Sequence, residues 1–390
     1  MKKLLVLSTL ALSVVVVGSP FVRAQSGATP LERPLIERIQ GRTFPSVFQA
    51  WSPADNIRDD SPLHTVARHD LVFQVPEFFG LRWNRRPTGL ADGFDPSSIE
   101  RARAFRRTLL KLNSNLILIA EIRYRDAHKS YLPEGHTWWL RDSQGKIVPG
   151  WDEGGFFCLD FHNPEFRSQV ARQAKAAVES GAVDGVMLDW WSDDASRLAL
   201  IREVRQAIGD KAIIIANAND HKTPQTAPYI NGYFMECSKS NSAKDWSQIA
   251  DTLAWAEANL RAPRVNCLET WFHKSREDLN LMRATTTLAL TLSDGYCLFS
   301  DPNPLPTPDH LHNWYPFWNK CLGKPVATGR KNVDGTVSRE FEKGTAFYNP
   351  IGNKPVSVTF SEERRSVATG KTAQSHYLGS PDGDIFLKAK

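Results

Sequence analysis

An alternation dominates this sequence. Eight short apolar runs, at 46–50, 71–75, 116–122, 185–188, 212–216, 232–235, 265–268 and 295–299, are separated by stretches with helical signals. Strands that alternate with helices imply βα units and a mostly parallel sheet. Several of the runs are apolar almost without interruption, as strands covered on both faces must be. Asp95-Pro96-Ser97-Ser98 opens a helix to about Leu112, and Asn163-Pro164-Glu165 opens another that ends near Gly181. In the latter Phe166, Val170, Ala174 and Val178 recur every four residues and form an inward stripe. Further helices fit 196–208, 243–260, 276–290 and 308–319. Eight strands with intervening helices predict a (β/α)8 TIM barrel over residues 44–325. The competing open doubly wound sheet lacks a GxGxxG turn after an early strand.

Flanking segments differ in texture. Lys2 and Lys3, an apolar run from Leu4 to Val17 and small residues around Ala24 read as a signal peptide, 1–24, which predicts a secreted or periplasmic protein. That apolar run is short of the ~20 residues a membrane span needs, and no later segment reaches that length without a charge. Residues 25–43 read as a linker or surface arm. From 326 to 390 strand-like runs around turns predict a small C-terminal antiparallel β domain, packed as a sandwich.

The net charge is +5, and Lys2, Lys3 and Arg23 of the leader leave only +2 for the remainder. Basic residues form short groups, such as Arg101, Arg103, Arg106 and Arg107, rather than a patch, which argues against nucleic acid as a partner. Cys158, Cys237, Cys267, Cys297 and Cys321 include no CxxC pair and no zinc-type Cys/His spacing, and they read as small buried side chains. His310 and His312 fall in the expected 308–319 helix, where residues two apart do not share a face, so neither a metal nor another cofactor is called for. A Ser-centred hydrolase would need a GxSxG elbow, which is absent.

In a barrel the chemistry collects where strands end, and here the ends are acidic. The fourth strand runs into Asp189-Trp190-Trp191, the sixth into Glu236, the seventh into Glu269-Thr270-Trp271 and the eighth into Asp301. Carboxylates closing apolar strands cannot be buried unpaired, so they face a partner or a ligand at the barrel mouth. Two carboxylates in different environments are what glycosidic cleavage uses: one ionised, one holding a proton for the departing oxygen. Each acid also has a structural reading as a helix cap, a turn or a salt bridge, and Asp301 before Pro302 could simply open a turn. Asp184 begins the fourth strand at the opposite end, and Asp160 orients a loop or touches substrate.

Aromatic and polar neighbours fit a sugar. Trp51, Trp190, Trp191 and Trp271 follow strands directly, and Trp83, Trp138 and Trp139 lie in adjoining loops. Flat rings suit the C–H face of a pyranose. Gln49, Arg123, Asn217, Asn219, His221 and His273 supply polar groups near the same rim.

The run Val183–Trp191, with Leu159-Asp160-Phe161-His162-Asn163-Pro164-Glu165-Phe166-Arg167 before it, resembles bacterial glycoside hydrolases with a (β/α)8 barrel near the α-galactosidase and α-amylase groups. The tail, Arg339-Glu340-Phe341-Glu342-Lys343-Gly344 and then Tyr348-Asn349-Pro350, is similar to their C-terminal β domain. The resemblance implies Asp189 as the nucleophile. In the α-galactosidase-like arrangement Glu236 takes the acid/base position, where Asp is common. In the amylase arrangement the acid follows the fifth strand, where this chain offers only Asp220. The expectation is therefore a retaining glycoside hydrolase acting on an oligo- or polysaccharide, with Asp189 and Glu236 catalytic and Glu269 auxiliary. A carbohydrate-binding barrel without catalysis is the alternative; a lyase or deacetylase is a third reading.

Overall fold

A computed structural model describes residues 32–58, 60–300 and 310–389. The expected leader, the first part of the 25–43 arm and Asp301 lie outside the described residues.

The eight parallel strands are β1 (Phe48–Ala50), β2 (Leu71–Gln74), β3 (Ile117–Glu121), β4 (Gly185–Leu188), β5 (Ile213–Asn217), β6 (Gly232–Cys237), β7 (Cys267–Trp271) and β8 (Tyr296–Ser300), paired in that order. A parallel bridge from Val47 to Cys297, with the Cys297 amide donating to the Ser46 carbonyl at 2.9 Å, joins the last strand to the first and closes the barrel. Register at the lower end depends on glycine. A Cβ at Gly185 would collide with the Ile213 carbonyl, and one at Gly232 with the Val265 carbonyl, so only glycine lets these backbones approach.

Helices α1 (Leu35–Gly41), α2 (Pro62–Ala67), α3 (Pro96–Leu112), α4 (Pro164–Glu179), α5 (Ala195–Ile208), α6 (Ala243–Asn259) and α7 (Leu279–Leu292) accompany the strands. Side-chain caps start the long ones: Asp95 for α3, Asn163 for α4, Asp194 for α5 and a Ser242–Asp245 capping box for α6. Among the described residues no helix is long and apolar enough to cross a membrane.

Three readings change. Residues 35–41, expected as part of an arm, form α1, whose Arg38 is buried beneath the barrel. The described part of the 308–319 stretch, from 310 on, holds no α-helix. Of its described residues, 310–315 run as an extended strap, and only Pro316–Asn319 makes a 3₁₀ turn. Pro316 is the cause, since it has no N–H for a helix interior. The tail is one six-stranded antiparallel sheet rather than a sandwich: β9 (Arg330–Lys331), β10 (Val337–Phe341), β11 (Gly344–Asn349), β12 (Val356–Ser366), β13 (Thr372–Leu378) and β14 (Asp382–Lys388), in the order β9-β10-β11-β14-β12-β13. Arg283 of α7 pairs with Asp382 at 2.8 Å, fixing the sheet to the barrel's helical layer. Four of the cysteines are buried and all five are free thiols; Cys321 is exposed, against expectation.

The barrel interior is filled by aromatic rings. Phe48, Phe73 and Phe234 pack at centroid distances of 4.9–5.9 Å. Trp51 caps them, 5.0 Å from Phe73. This plug is the dry floor on which the strand-end acids stand.

Candidate active site

The acids gather above that floor because each closes a strand whose preceding residues are buried. Asp189 follows β4, Asn217 ends β5 and Glu236 lies near the end of β6. The Asn217 side-chain amide donates one hydrogen to Asp189 Oδ1 and the other to Glu236 Oε2, both at 2.8 Å. One nitrogen thus sets the spacing of two carboxyl groups. They open on a cleft of about 490 Å³, also lined by Trp51, Arg123, Asp126, Trp151, Trp190, Asn219, Trp271 and His310.

Burial acts on both acids. It pushes the Glu236 carboxyl up to about 8; the like charges of Glu269 and Asp189 add to this, while His310 and the Asn217 hydrogen bond oppose it. A fifth of the Glu236 side chain, 20%, still meets the cleft, so a ligand can reach it. Asp189 is also raised by burial, opposed by the Asn217 hydrogen bond and the Arg123 charge.

Two further carboxylates stand behind the rim. Glu269 is fully buried and accepts from Ser300 Oγ at 2.5 Å, from His310 Nδ1 at 2.8 Å and from Trp271 Nε1 at 3.3 Å. Glu121, the last residue of β3, is buried, accepts from Trp51 Nε1 at 2.8 Å and pairs with Arg123 at 3.0 Å. Burial raises Glu121 and Arg123 opposes this. Among the described residues no group of three His, Cys, Asp or Glu side chains is placed to hold a metal ion.

Backbone strain concentrates here. The non-glycine residues with positive φ among those described are Trp51 (45°), Trp190 (52°), Asn219 (50°) and His310 (56°), and all four line the cleft. Such conformations persist only where surrounding contacts enforce them, and they cluster at functional sites. Trp190 shows the enforcement. Its carbonyl accepts from the Tyr124 hydroxyl at 2.7 Å and from Arg197 Nη2 at 2.9 Å, and Arg125 lies 4.4 Å over its ring. The ring itself remains 47% exposed.

Of the sequence candidates, Asp189, Glu236, Asn217, Asn219, Arg123, Trp51, Trp190 and Trp271 meet in the cleft. The other described candidates do not line it. Trp191 points the opposite way from Trp190, is buried and donates to Thr226 Oγ1 at 3.1 Å, so it is core. Gln49 is buried below, 3.4 Å from the Trp51 carbonyl. Asp160 turns toward its own loop and accepts from the His162 amide at 3.2 Å. Asp220 lies beside His221, and its carbonyl accepts from Thr252 at 2.7 Å. His273 meets Ser240 at 3.0 Å. Glu269 sits behind His310 rather than in the open cleft.

Sequence reasoning missed His310, Glu121 and Asp126. Glu121 carried the usable signal, an acid closing an apolar run, hidden because the run was read through to Ile122. Asp126 sits in the excursion after β3, where its carboxylate accepts from Arg125 at 2.6 Å and from the Trp151 amide at 2.9 Å.

No family model and no curated protein matches the sequence. Solved structures do. An α-amylase from Lactobacillus plantarum aligns with a TM-score of 0.51 at 10% identity, covering 90% of this chain and 100% of that one. One from Malbranchea cinnamomea gives 0.51 at 12%, covering 91% and 97%. A maltogenic α-amylase from Thermotoga neapolitana gives 0.50 at 11%, covering 88% and 98%. At these identities the likeness is one of architecture: the chain is a (β/α)8 barrel with a C-terminal antiparallel sheet, in the fold of the α-amylase-type glycoside hydrolases.

Proposed function

We propose that the protein is an exported glycoside hydrolase that cleaves a glycosidic bond in an oligo- or polysaccharide with retention of configuration. The observation that carries this reading is the Asn217 amide, donating at 2.8 Å to both Asp189 and Glu236. The two oxygens it binds lie at most twice that distance apart. Retaining enzymes keep their carboxyl groups ~5–5.5 Å apart, whereas inverting ones need ~6.5–9.5 Å to admit a water.

In this reading Asp189 attacks the anomeric carbon as the bond to the leaving oxygen breaks, and the Glu236 proton passes to that oxygen. Water then attacks the same carbon, gives a proton to the Glu236 carboxylate and releases Asp189. The environments suit these roles. A carboxyl pushed up to about 8 keeps its proton near neutrality, while at Asp189 the Asn217 hydrogen bond and the Arg123 charge oppose the rise that burial causes. Trp190, exposed and braced from below, offers a face for a sugar ring. A binding module would need the Trp faces but not a protonated acid opposite a second carboxylate.

Incubation with a glycan panel, followed by proton NMR of the first product, is expected to show hydrolysis with the substrate's anomeric configuration kept. Asp189→Asn and Glu236→Gln should each lower turnover by roughly 10³-fold or more with folding intact. Unchanged turnover in both overturns the assignment, and calorimetric binding with no product points instead to a carbohydrate-binding barrel.

A further inference from the structure

His310 has no part in the two steps above, yet it touches the acid and the carboxylate behind it. It stands at the start of the described strap, 310–315. His312 pins that strap: its carbonyl accepts from the Asp55 amide at 3.1 Å, its Nδ1 lies 3.1 Å from the His310 carbonyl, and its Nε2 lies 2.9 Å from Nε2 of buried His69. The His310 ring is 1% exposed. Trp51 lies against it at 4.9 Å and 32°, with Phe234 and Trp271 at its edges. Its Nδ1 is 2.8 and 3.1 Å from the two Glu269 oxygens, and its Nε2 is 3.9 Å from Glu236 Oε1. A carboxylate partner keeps the hydrogen on Nδ1 and turns Nε2 toward the acid.

We propose that His310 is a positioning residue that sets the pH range over which Glu236 holds its proton, with Glu269 as its counter-charge. The proposal rests on the reading of Glu236 as the acid. Glu236 faces Asp189 after β4, the neutral Asn217 amide of β5, Glu269 of β7 and His310 of the strap. His310 faces Glu269 and Glu236 directly, and Glu121 through the Trp51 indole. When His310 charges, Nε2 gains a hydrogen directed at Glu236 Oε1 and favours the carboxylate there. Glu269 acts in the opposite sense: its negative charge favours a proton on Glu236. Burial holds the acid in its protonated range, and within that range His310 and Glu269 shift it in opposite directions.

Infrared difference spectroscopy on the full chain tests this. The protonated carboxyl band of Glu236, identified by its loss in Glu236→Gln, is followed against pH. His310→Asn is expected to move its midpoint up and Glu269→Gln to move it down, each by roughly one to three units, the effect of a charge within ~4–6 Å. The basic limb of kcat/KM moves in the same directions. Midpoints that stay in place, or that move in one direction in both variants, overturn the proposal, as does a loss of stability with the midpoint unmoved. Should His310→Asn not fold, His310→Gln, which keeps a polar side chain that can face Glu269, takes its place, and a midpoint unmoved there overturns the proposal. The band titrates whether or not any glycan is cleaved, so this proposal and the hydrolase reading fail separately.

Discussion

Asp184 and Asp189 stand at the two ends of one strand, and the fold treats them in opposite ways. Below β4, Asp184 accepts from Arg38 on both oxygens, from Arg106 at 2.6 Å and from the Leu118 amide at 2.9 Å. Burial alone would raise its pKa, but Arg106 and Arg38 outweigh it and hold the carboxyl below its ordinary value. Above β4, Asp189 has the Asn217 amide and a more distant Arg123, and burial wins. The lower acid is paired with two arginines; the upper one is left without a close counter-charge, at the cleft. Four residues of strand separate the two environments.

The largest effect should come from breaking the lower end. Asp184→Asn leaves Arg38 and Arg106 buried without their counter-charge, a loss of about 3–5 kcal/mol. That corresponds to a Tm lower by roughly 4–7 °C for a chain of this size, with turnover per folded molecule unchanged. Asp189→Asn should do the reverse, losing turnover while Tm holds. Equal melting temperatures for the two variants, read by scanning calorimetry, would void the contrast.

Stability against pH sharpens the same comparison. Glu236 is raised from an unfolded value near ~4.3 to about 8. Between those values the folded chain binds a proton that the unfolded chain has released, so stability falls as pH rises across that window. Asp184 is held below its unfolded value, so its contribution is present above that value and is lost as pH falls. In denaturant melts, Glu236→Gln should lose the decline that runs from about 4.3 to about 8 and Asp184→Asn the one on the acid side.

The smallest effect belongs to the rim. Trp190→Ala removes a ring contact worth about 0.5–1.5 kcal/mol, which should raise KM on a cleaved glycan several-fold and leave kcat nearly unchanged. A fall in kcat alone would place Trp190 in the chemistry rather than in binding.

Much of this was legible beforehand for physical reasons. Alternating apolar runs and capped helices allow few architectures, and a carboxylate closing an apolar strand has little choice but the barrel mouth. Asp189 and Glu236 were therefore readable. What failed was local. Trp190, in a left-handed conformation, reaches the cleft while Trp191 beside it packs in the core, and two adjacent tryptophans after a strand do not reveal that turn. Helical spacing around His310 competes with Pro316, and the proline prevails. In the extended strap, His310 meets Glu269 and His312 meets His69. No periodicity marks a strap of this kind, because its position is set by partners far away in the chain.

The four left-handed residues around the cleft carry a practical consequence. At Trp190 and Asn219, which are not buried, glycine would relax the backbone with little packing lost, so a selection that scores only resistance to heat should drift toward these two, whereas at Trp51 and His310 the lost ring contacts and the bonds to Glu121 and Glu269 outweigh that relief. Such variants would emerge sturdier but with a barer cleft rim, and laboratory evolution of this barrel needs a ligand-binding readout beside the melting temperature from its first round.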